Sequence, residues 1–394
     1  MEGAIVEDYN LIIRGARVID PAQAIDGTLD IAVADGKIAG VGNFADATAN
    51  QVIEAEGMIA SPGWIDLHVH AYDGAVMSGG VHADREAGIA TGVTTVVDAG
   101  SSGAGTWTAF REYVVETSIT RVLAYMNVSL MPARGPRHGD WRNFSQGKTI
   151  ALAEQEAATG LCLGIKVLAS QNHCGNLGIT PMKLARQAAR LSGTGLMVHL
   201  GEAPPIIEDV LNLMDEGDIL THCFKGTAGG ILGRDKKPIP ETWAAIERGV
   251  KFDIGHGSSS FSFETARYAL DAGVPLHAIS TDLHGGNLHG PVYDMATTMA
   301  KFLHLGFSLP EVIRLSTLSP AELMHREHEL GSLAVGREAD ITLFRVIDGE
   351  FEVTDAERQR EIARQMLQVE YTVRAGSIVH AANTELEAVA DGIS

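Results

Sequence analysis

Between residues 61 and 282, short and nearly unbroken apolar runs alternate with stretches of helical character, and this rhythm restricts the chain more than any other feature. After a first run at 61–70, the runs fall at Val93–Gly100, Val122–Val128, Leu161–Leu168, Leu196–Leu200, Asp218–Cys223, Lys251–His256 and Ala278–Asp282. Helices are predicted at Ala83–Ala90, near Thr108–Glu116, at Ile150–Ala158, and from a Thr180-Pro181 cap to about Leu191, where proline suits the first turn. Strands that are apolar on both faces belong in a parallel sheet covered by helices. Eight such units predict an α/β protein built on a (β/α)8 TIM barrel. A doubly wound open sheet is the competing architecture.

The first fifty residues have a different texture. Two strand-like runs meet at Ala34-Asp35-Gly36-Lys37, where Asp-Gly suits the positive φ of a hairpin turn. After helices near Val292–Leu305 and Pro310–Leu315, strand character returns at Ala339–Phe344 and Tyr371–Val379. The expected organisation is therefore a small β domain made from 1–60 and 330–394, flanking a barrel of 61–329.

Fifty acidic residues against 30 basic ones give a formal charge of −20, which argues against nucleic acid or an anionic membrane surface as partner. No apolar run reaches the roughly 20 residues of a membrane span. The start, Met1 to Asp8, lacks the basic opening of a signal peptide. Three cysteines, without CxxC spacing, suit reduced thiols. A soluble, cytoplasmic protein is expected.

Polar residues interrupt the apolar strands near their ends. His68 and His70 alternate with Leu67 and Val69, so in a strand both imidazoles leave one face, about 6–7 Å apart, while the apolar pair points the other way. Neutral imidazole is the commonest metal ligand. Lys166, His199, His222, His256 and Asp282 occupy later strand ends, which surround one mouth of a barrel. Four histidines and one aspartate exceed one tetrahedral site, which points to two cations sharing a pocket. Lys166 is out of place in an apolar strand unless its amine snorkels to solvent or has reacted with carbon dioxide to form an anionic carbamate able to bridge two cations. Asp282 alone reads equally well as a helix cap or as a proton carrier.

Pro62-Gly63-Trp64-Ile65-Asp66-Leu67-His68-Val69-His70, with Lys166, His199, His222 and Asp282 in that order, resembles the two-metal amidohydrolase superfamily over nearly the whole chain. The resemblance implies that His68, His70 and Asp282 take one divalent cation, zinc foremost, that His199 and His222 take the second, and that N6-carboxylated Lys166 bridges both. Two such cations, roughly 3.5–4 Å apart, would turn a bridging water into hydroxide near neutral pH, with Asp282 carrying its proton to the leaving group.

More narrowly, Tyr125-Met126-Asn127-Val128-Ser129, Gly164-Ile165-Lys166 and Gly255-His256-Gly257 are similar to the dihydroorotase-like deacetylases. Dihydroorotases place an arginine two residues after the second histidine, whereas Ala71 and Tyr72 follow His70 here. The substrate implied is a small carboxylate-bearing acyl compound, such as an O-acetyl 2-hydroxy acid. Its carboxylate is expected to meet His256 first, with Tyr72, Asn127, Asn172, His173, Cys174, Gly175 and Lys225 as further candidates. His284 and its Gly-rich loop read as a gate or an ordinary turn, and His325 and His328 as surface residues on a helix. Homo-oligomerisation follows family habit. The alternatives are a cyclic amidohydrolase of the dihydroorotase or dihydropyrimidinase type, a one-metal deaminase, and a non-catalytic scaffold protein on the same fold.

Overall fold

The computed structural model describes residues 9–72, 79–131 and 139–382. The chain begins with five strands: β1 (Tyr9–Asp20), β2 (Ile25–Ala34), β3 (Lys37–Gly42), β4 (Ala49–Glu54) and β5 (Ile59–Pro62). Asp35 and Gly36 turn the β2–β3 hairpin at φ 50° and 74°, the left-handed pair that the Asp-Gly sequence predicts.

Seven parallel strands follow in sequence order: β6 (Trp64–Val69), β7 (Val93–Gly103), β8 (Arg121–Asn127), β9 (Cys162–Ala169), β10 (Gly195–Leu200), β11 (Ile219–Thr221) and β12 (Lys251–Asp253). The eighth predicted strand, Ala278–Asp282, is not a full strand. Single parallel bridges join Ala278 to Asp253 and Leu283 to Val69, and Asp282 N–H donates to His68 O at 2.7 Å, so the segment closes the barrel between β12 and β6. A regular ladder stops there because Asp282 turns to φ 50°. The Ser280 and Thr281 hydroxyls donate instead to the buried carboxylates of Asp253 and Asp66.

The remaining strands, β13 (Ile341–Thr354), β14 (Arg360–Arg374) and β15 (Ser377–Ala381), join the first five in one sheet of order β15-β14-β13-β5-β1-β2-β3, with β4 parallel to β1. The expected run Tyr371–Val379 is two strands, parted by a turn at Ala375-Gly376. Leu11, Val18, Ile31, Val33, Leu343 and Val373 give this sheet its own core.

Other expectations change in detail. The helix foreseen at Ala83–Ala90 is a π turn (Ala83–Ala87) and a 3-10 turn (Ile89–Thr91), parted at Gly88, a poor helix former. Helix Thr180–Ser192 starts with Ile179, not Thr180, in the cap position, and without a side-chain cap. Leu67 and Val69 enter different apolar clusters, since the pairing of β6 with β7 shifts between Asp66 and Val69. His325 and His328 are exposed on turns beyond helix Leu318–Leu323 and not on a helix. Among the described residues no helix is long and apolar enough to cross a membrane.

His277, just before the closing segment, accepts from Phe252 N–H through Nδ1 at 3.0 Å and borders a cavity of about 610 Å³ with Lys251 and Arg314. Burial first, then those two cations, pull its pKa from 6.5 to about 4. Above pH 6.5 the ring is neutral both folded and unfolded; on acidification the unfolded chain takes the proton first, so stability falls from about pH 6.5 towards about 4. His277→Asn, which keeps an acceptor and removes the titration, is expected to flatten this part of the melting-temperature profile against pH.

Candidate metal centre

His68 and His70 at the end of β6, Lys166 on β9, His199 on β10, His222 just past β11 and Asp282 on the closing segment meet at one point. Lys166 Nζ lies 3.2 Å from His68 Nε2. Asp282 Oδ1 lies 3.4 Å from His68 Nε2 and 3.2 Å from His70 Nε2. The His222 ring is 5.0 Å from that of His68 and 4.4 Å from that of His199. Ligand atoms of His68, His222 and Asp282 lie within 4.8 Å of one another. All six are buried except His199, which is half-buried.

Hydrogen bonds from behind set the direction of each ring. Thr221 donates to Asp253 Oδ2 at 2.7 Å, so its oxygen is left to accept from His68 Nδ1 at 2.8 Å. Gly255 O, which can only accept, takes the proton of His222 Nδ1 at 2.6 Å. His70 Nδ1 meets Ser101 Oγ at 2.8 Å, and Ser101 N–H donates to Asp98. Each arrangement leaves Nε2 for the centre, and His222 Nε2 is buried without a hydrogen-bond partner. A buried imidazole lone pair with no proton donor is costly. A divalent cation satisfies it, and the set of imidazoles and a carboxylate fits such an ion.

Electrostatics point the same way. Burial holds His68 and His199 well below their ordinary value and His222 at about 4, so these rings are neutral, the ligating form. Burial also brings Lys166 down to about 8, against the pull of Asp282, Asp253 and Asp98. For Asp282 burial acts upwards, but the imidazoles of His68, His70 and His222 outweigh it and hold the carboxyl well below its usual range. His222 and Asp282 are among the few non-glycine residues in the left-handed region, at φ 69° and 50°, a strain that clusters at functional sites.

Three of the residues expected to hold the substrate, His256, Asn127 and Cys174, are committed elsewhere, whereas the Tyr72 hydroxyl and Lys225 Nζ are buried without a hydrogen-bond partner. His256 is buried, with Nδ1 on Gly257 O and Nε2 taking a bond from Lys301, so no ring N–H remains for a carboxylate. Asn127 spends its amide on Gly100 O and Ser129 N–H. Tyr72 is packed in the apolar core, its ring 5.7 Å from Phe110. Cys174 is buried with Sγ on Leu168 O, and burial pushes its thiol up to about 11. Asn172 and Gly175 are exposed on the short turn around it. Lys225 borders a different cavity, between the glycine-rich segment 226–233 and Ile207.

The cavity over the six-residue cluster, about 160 Å³, is lined by one of the expected residues, His173, and by Ser258, Ser259, Ser260 and His284, besides His70, Leu168, His199 and Asp282. Sequence reasoning passed over the serines, although Ser258-Ser259-Ser260 directly follows the strand-end His256-Gly257. It also missed Thr221, Asp253 and Ser101, which carry no signal apart from their strand positions.

The profile of the amidohydrolase family matches residues 59–379. Deacetylase Atu3266 of Agrobacterium fabrum is 36% identical over 344 residues, covering 86% of this chain and 83% of that protein. A solved structure described as an adenine deaminase superposes with a TM-score of 0.87 at 34% identity, over 94% of this chain and 99% of its own. One described as a dihydroorotase gives 0.85 at 33% identity, over 94% and 97%.

Thr221→Val removes the acceptor behind His68. Zinc affinity, measured by competition with a chromogenic chelator, is expected to fall about 10- to 100-fold.

Proposed function

We propose that this chain, which belongs to the amidohydrolase family, is a metal-dependent hydrolase that cleaves an acetyl ester or amide next to a carboxylate, such as an O-acetyl 2-hydroxy acid. The observation that carries the metal dependence is the unpartnered, buried His222 Nε2 facing His68, His199 and Asp282. The likeness to a protein named deacetylase supports the acetyl group.

In this reading His68, His70 and Asp282 would hold one cation and His199 and His222 the other, with carboxylated Lys166 as a ligand they would share; zinc is the metal we favour. Bound cations supply Lewis acidity, both to a water and to the acyl carbonyl. A lysine near pKa 8 keeps some neutral amine at physiological pH, the form that adds carbon dioxide, and this supports the carboxylated state of Lys166. Asp282, ionised at neutral pH, begins the cycle as the base: it takes the proton of the attacking water and returns it to the departing oxygen or nitrogen.

Ser258 holds the substrate carboxylate, and His284 orients its hydroxyl. Gly286 N–H donates to His284 Nδ1 at 3.0 Å, so the ring proton sits on Nε2 and reaches Ser258 Oγ, also at 3.0 Å. The Ser258 hydroxyl proton then remains for an acceptor in the cavity. Such local donors serve an anionic substrate despite the acidic balance of the chain. Three buried, unpaired cysteines support a reducing compartment, the cytoplasm. Cleavage of a cyclic amide is the second reading; a buried phenol at Tyr72, where dihydroorotases carry an arginine, argues against it.

Steady-state assays of an O-acetyl 2-hydroxy acid, an N-acetyl amino acid and dihydroorotate are expected to give turnover on an acetylated acid; turnover on dihydroorotate alone overturns the proposal. Asp282→Asn is expected to lower kcat roughly 10²- to 10⁴-fold. Ser258→Ala is expected to raise KM more than it lowers kcat.

A further inference from the structure

Lys301, on helix Met295–His304, is fully buried, and an unpaired ammonium there would be costly. Its Nζ sits among three acceptors from three separate parts of the chain: His256 Nε2 at 2.8 Å, Pro291 O at 2.7 Å and Thr354 O at 2.9 Å. Burial lowers the amine to about 7 against the pull of Asp355 and Asp294. In its ammonium form it has three protons and no lone pair, so in that form all three are used and none of the bonds can reverse. His256 Nε2 must therefore be the bare nitrogen. The ring proton is placed on Nδ1, which donates to Gly257 O at 2.9 Å.

Gly257 links this chain of bonds to the centre. It stands at φ 56°, and a Cβ on it would lie 2.5 Å from Asp282 Oδ2, so its backbone rests directly against the carboxylate. Its N–H donates to Thr281 O, the residue before Asp282, at 2.9 Å. At the other end, Thr354 belongs to the β13–β14 hairpin of the flanking sheet. The tip of that hairpin is bound to the loop after β12 by Ala356 N–H on Phe261 O and by Asp355 on Phe263 N–H, both at 3.0 Å.

We propose that Lys301 is a positioning residue for Asp282, acting through the tautomer of His256 and the backbone of Gly257, and that the flanking sheet fixes it by way of Thr354. The inference rests on the reading of Asp282 as the proton carrier. Without the ammonium, His256 can move its proton to Nε2 and release Gly257 O, and the carboxylate loses the surface it leans on. A shift of the order of 1 Å at a reacting group costs up to about 100-fold in rate.

The experiment compares Lys301→Met, His256→Phe and the double variant, in metal-loaded protein, for kcat and KM on the acetylated substrate, together with nitrogen-15 NMR of the histidine rings. The expected result is kcat lowered about 10-fold or more by each single change, KM nearly unchanged, and a double variant no slower than the slower single one. The wild-type His256 ring is expected to carry its proton on Nδ1, and Lys301→Met to alter that signature. Losses that multiply in the double variant, an unchanged kcat in Lys301→Met, or a wild-type proton on Nε2 would each overturn the proposal. If Lys301→Met does not fold, Lys301→Gln and the wild-type spectrum decide. Failure of every acetylated compound with wild-type protein would count against the substrate reading, whereas the ring spectrum judges the Lys301–His256 link by itself.

Discussion

A cluster of neutral imidazoles works as a ligand set only if every ring turns a lone pair inward, and that depends on what each ring's second nitrogen touches. Here the second nitrogens of His68, His70 and His222 end on Thr221, Ser101 and Gly255 O, with the carboxylates of Asp253 and Asp98 behind the first two. The same layer of buried acids completes the barrel. Asp66 takes two bonds from Thr281 and Asp253 two from Ser280, drawing the closing segment against β6 and β12. Burial raises Asp66 to about 7 and Asp253 to about 6, and the hydrogen bonds from Thr281 to the first and from Thr221 and Ser280 to the second pull the other way, offsetting part of the cost of burying a carboxylate. Closure of the barrel and orientation of the ligands are therefore one piece of chemistry.

Backbone strain is concentrated in the same place. His222 and Asp282 both leave the extended region as their strands end, at φ 69° and 50°. A side chain in an ideal strand stands roughly perpendicular to the sheet, and a residue in the left-handed region departs from that direction. That departure helps bring residues sixty positions apart to one spot, and it also ends the ladder, which is why the eighth barrel position reads as a strand but hydrogen-bonds only at isolated points.

The barrel, the second sheet and the six convergent residues were legible because each has a local signature: apolar strands, an Asp-Gly hairpin, and charged or aromatic nitrogen at strand ends. The substrate wall was not. His256 looks like a donor in the sequence, but its availability depends on Lys301, 45 positions later, and no local pattern links the two. Asn127 is similar: its side-chain amide is taken up by Gly100, a neighbour that only the folded chain provides. Serine is common in loops of every kind, so Ser258 and Ser260 stand out only once the cavity above Asp282 is known. The irregular turn at Ala83–Thr91 escaped for the opposite reason, as its local pattern favours a helix that Gly88 interrupts.

In the second sheet β5 pairs with β13, so Ile59 lies opposite Phe344. A nascent chain leaving the ribosome must carry the unsatisfied edge of β5 through synthesis of roughly 280 further residues before its partner exists. Non-local pairings of this length form late and slowly, because the chain between them has to be brought to order first. The barrel can assemble in the meantime, but its sealed exterior waits for the last strands. For this chain the hazard of mispairing between neighbouring copies falls during translation, at one identifiable edge.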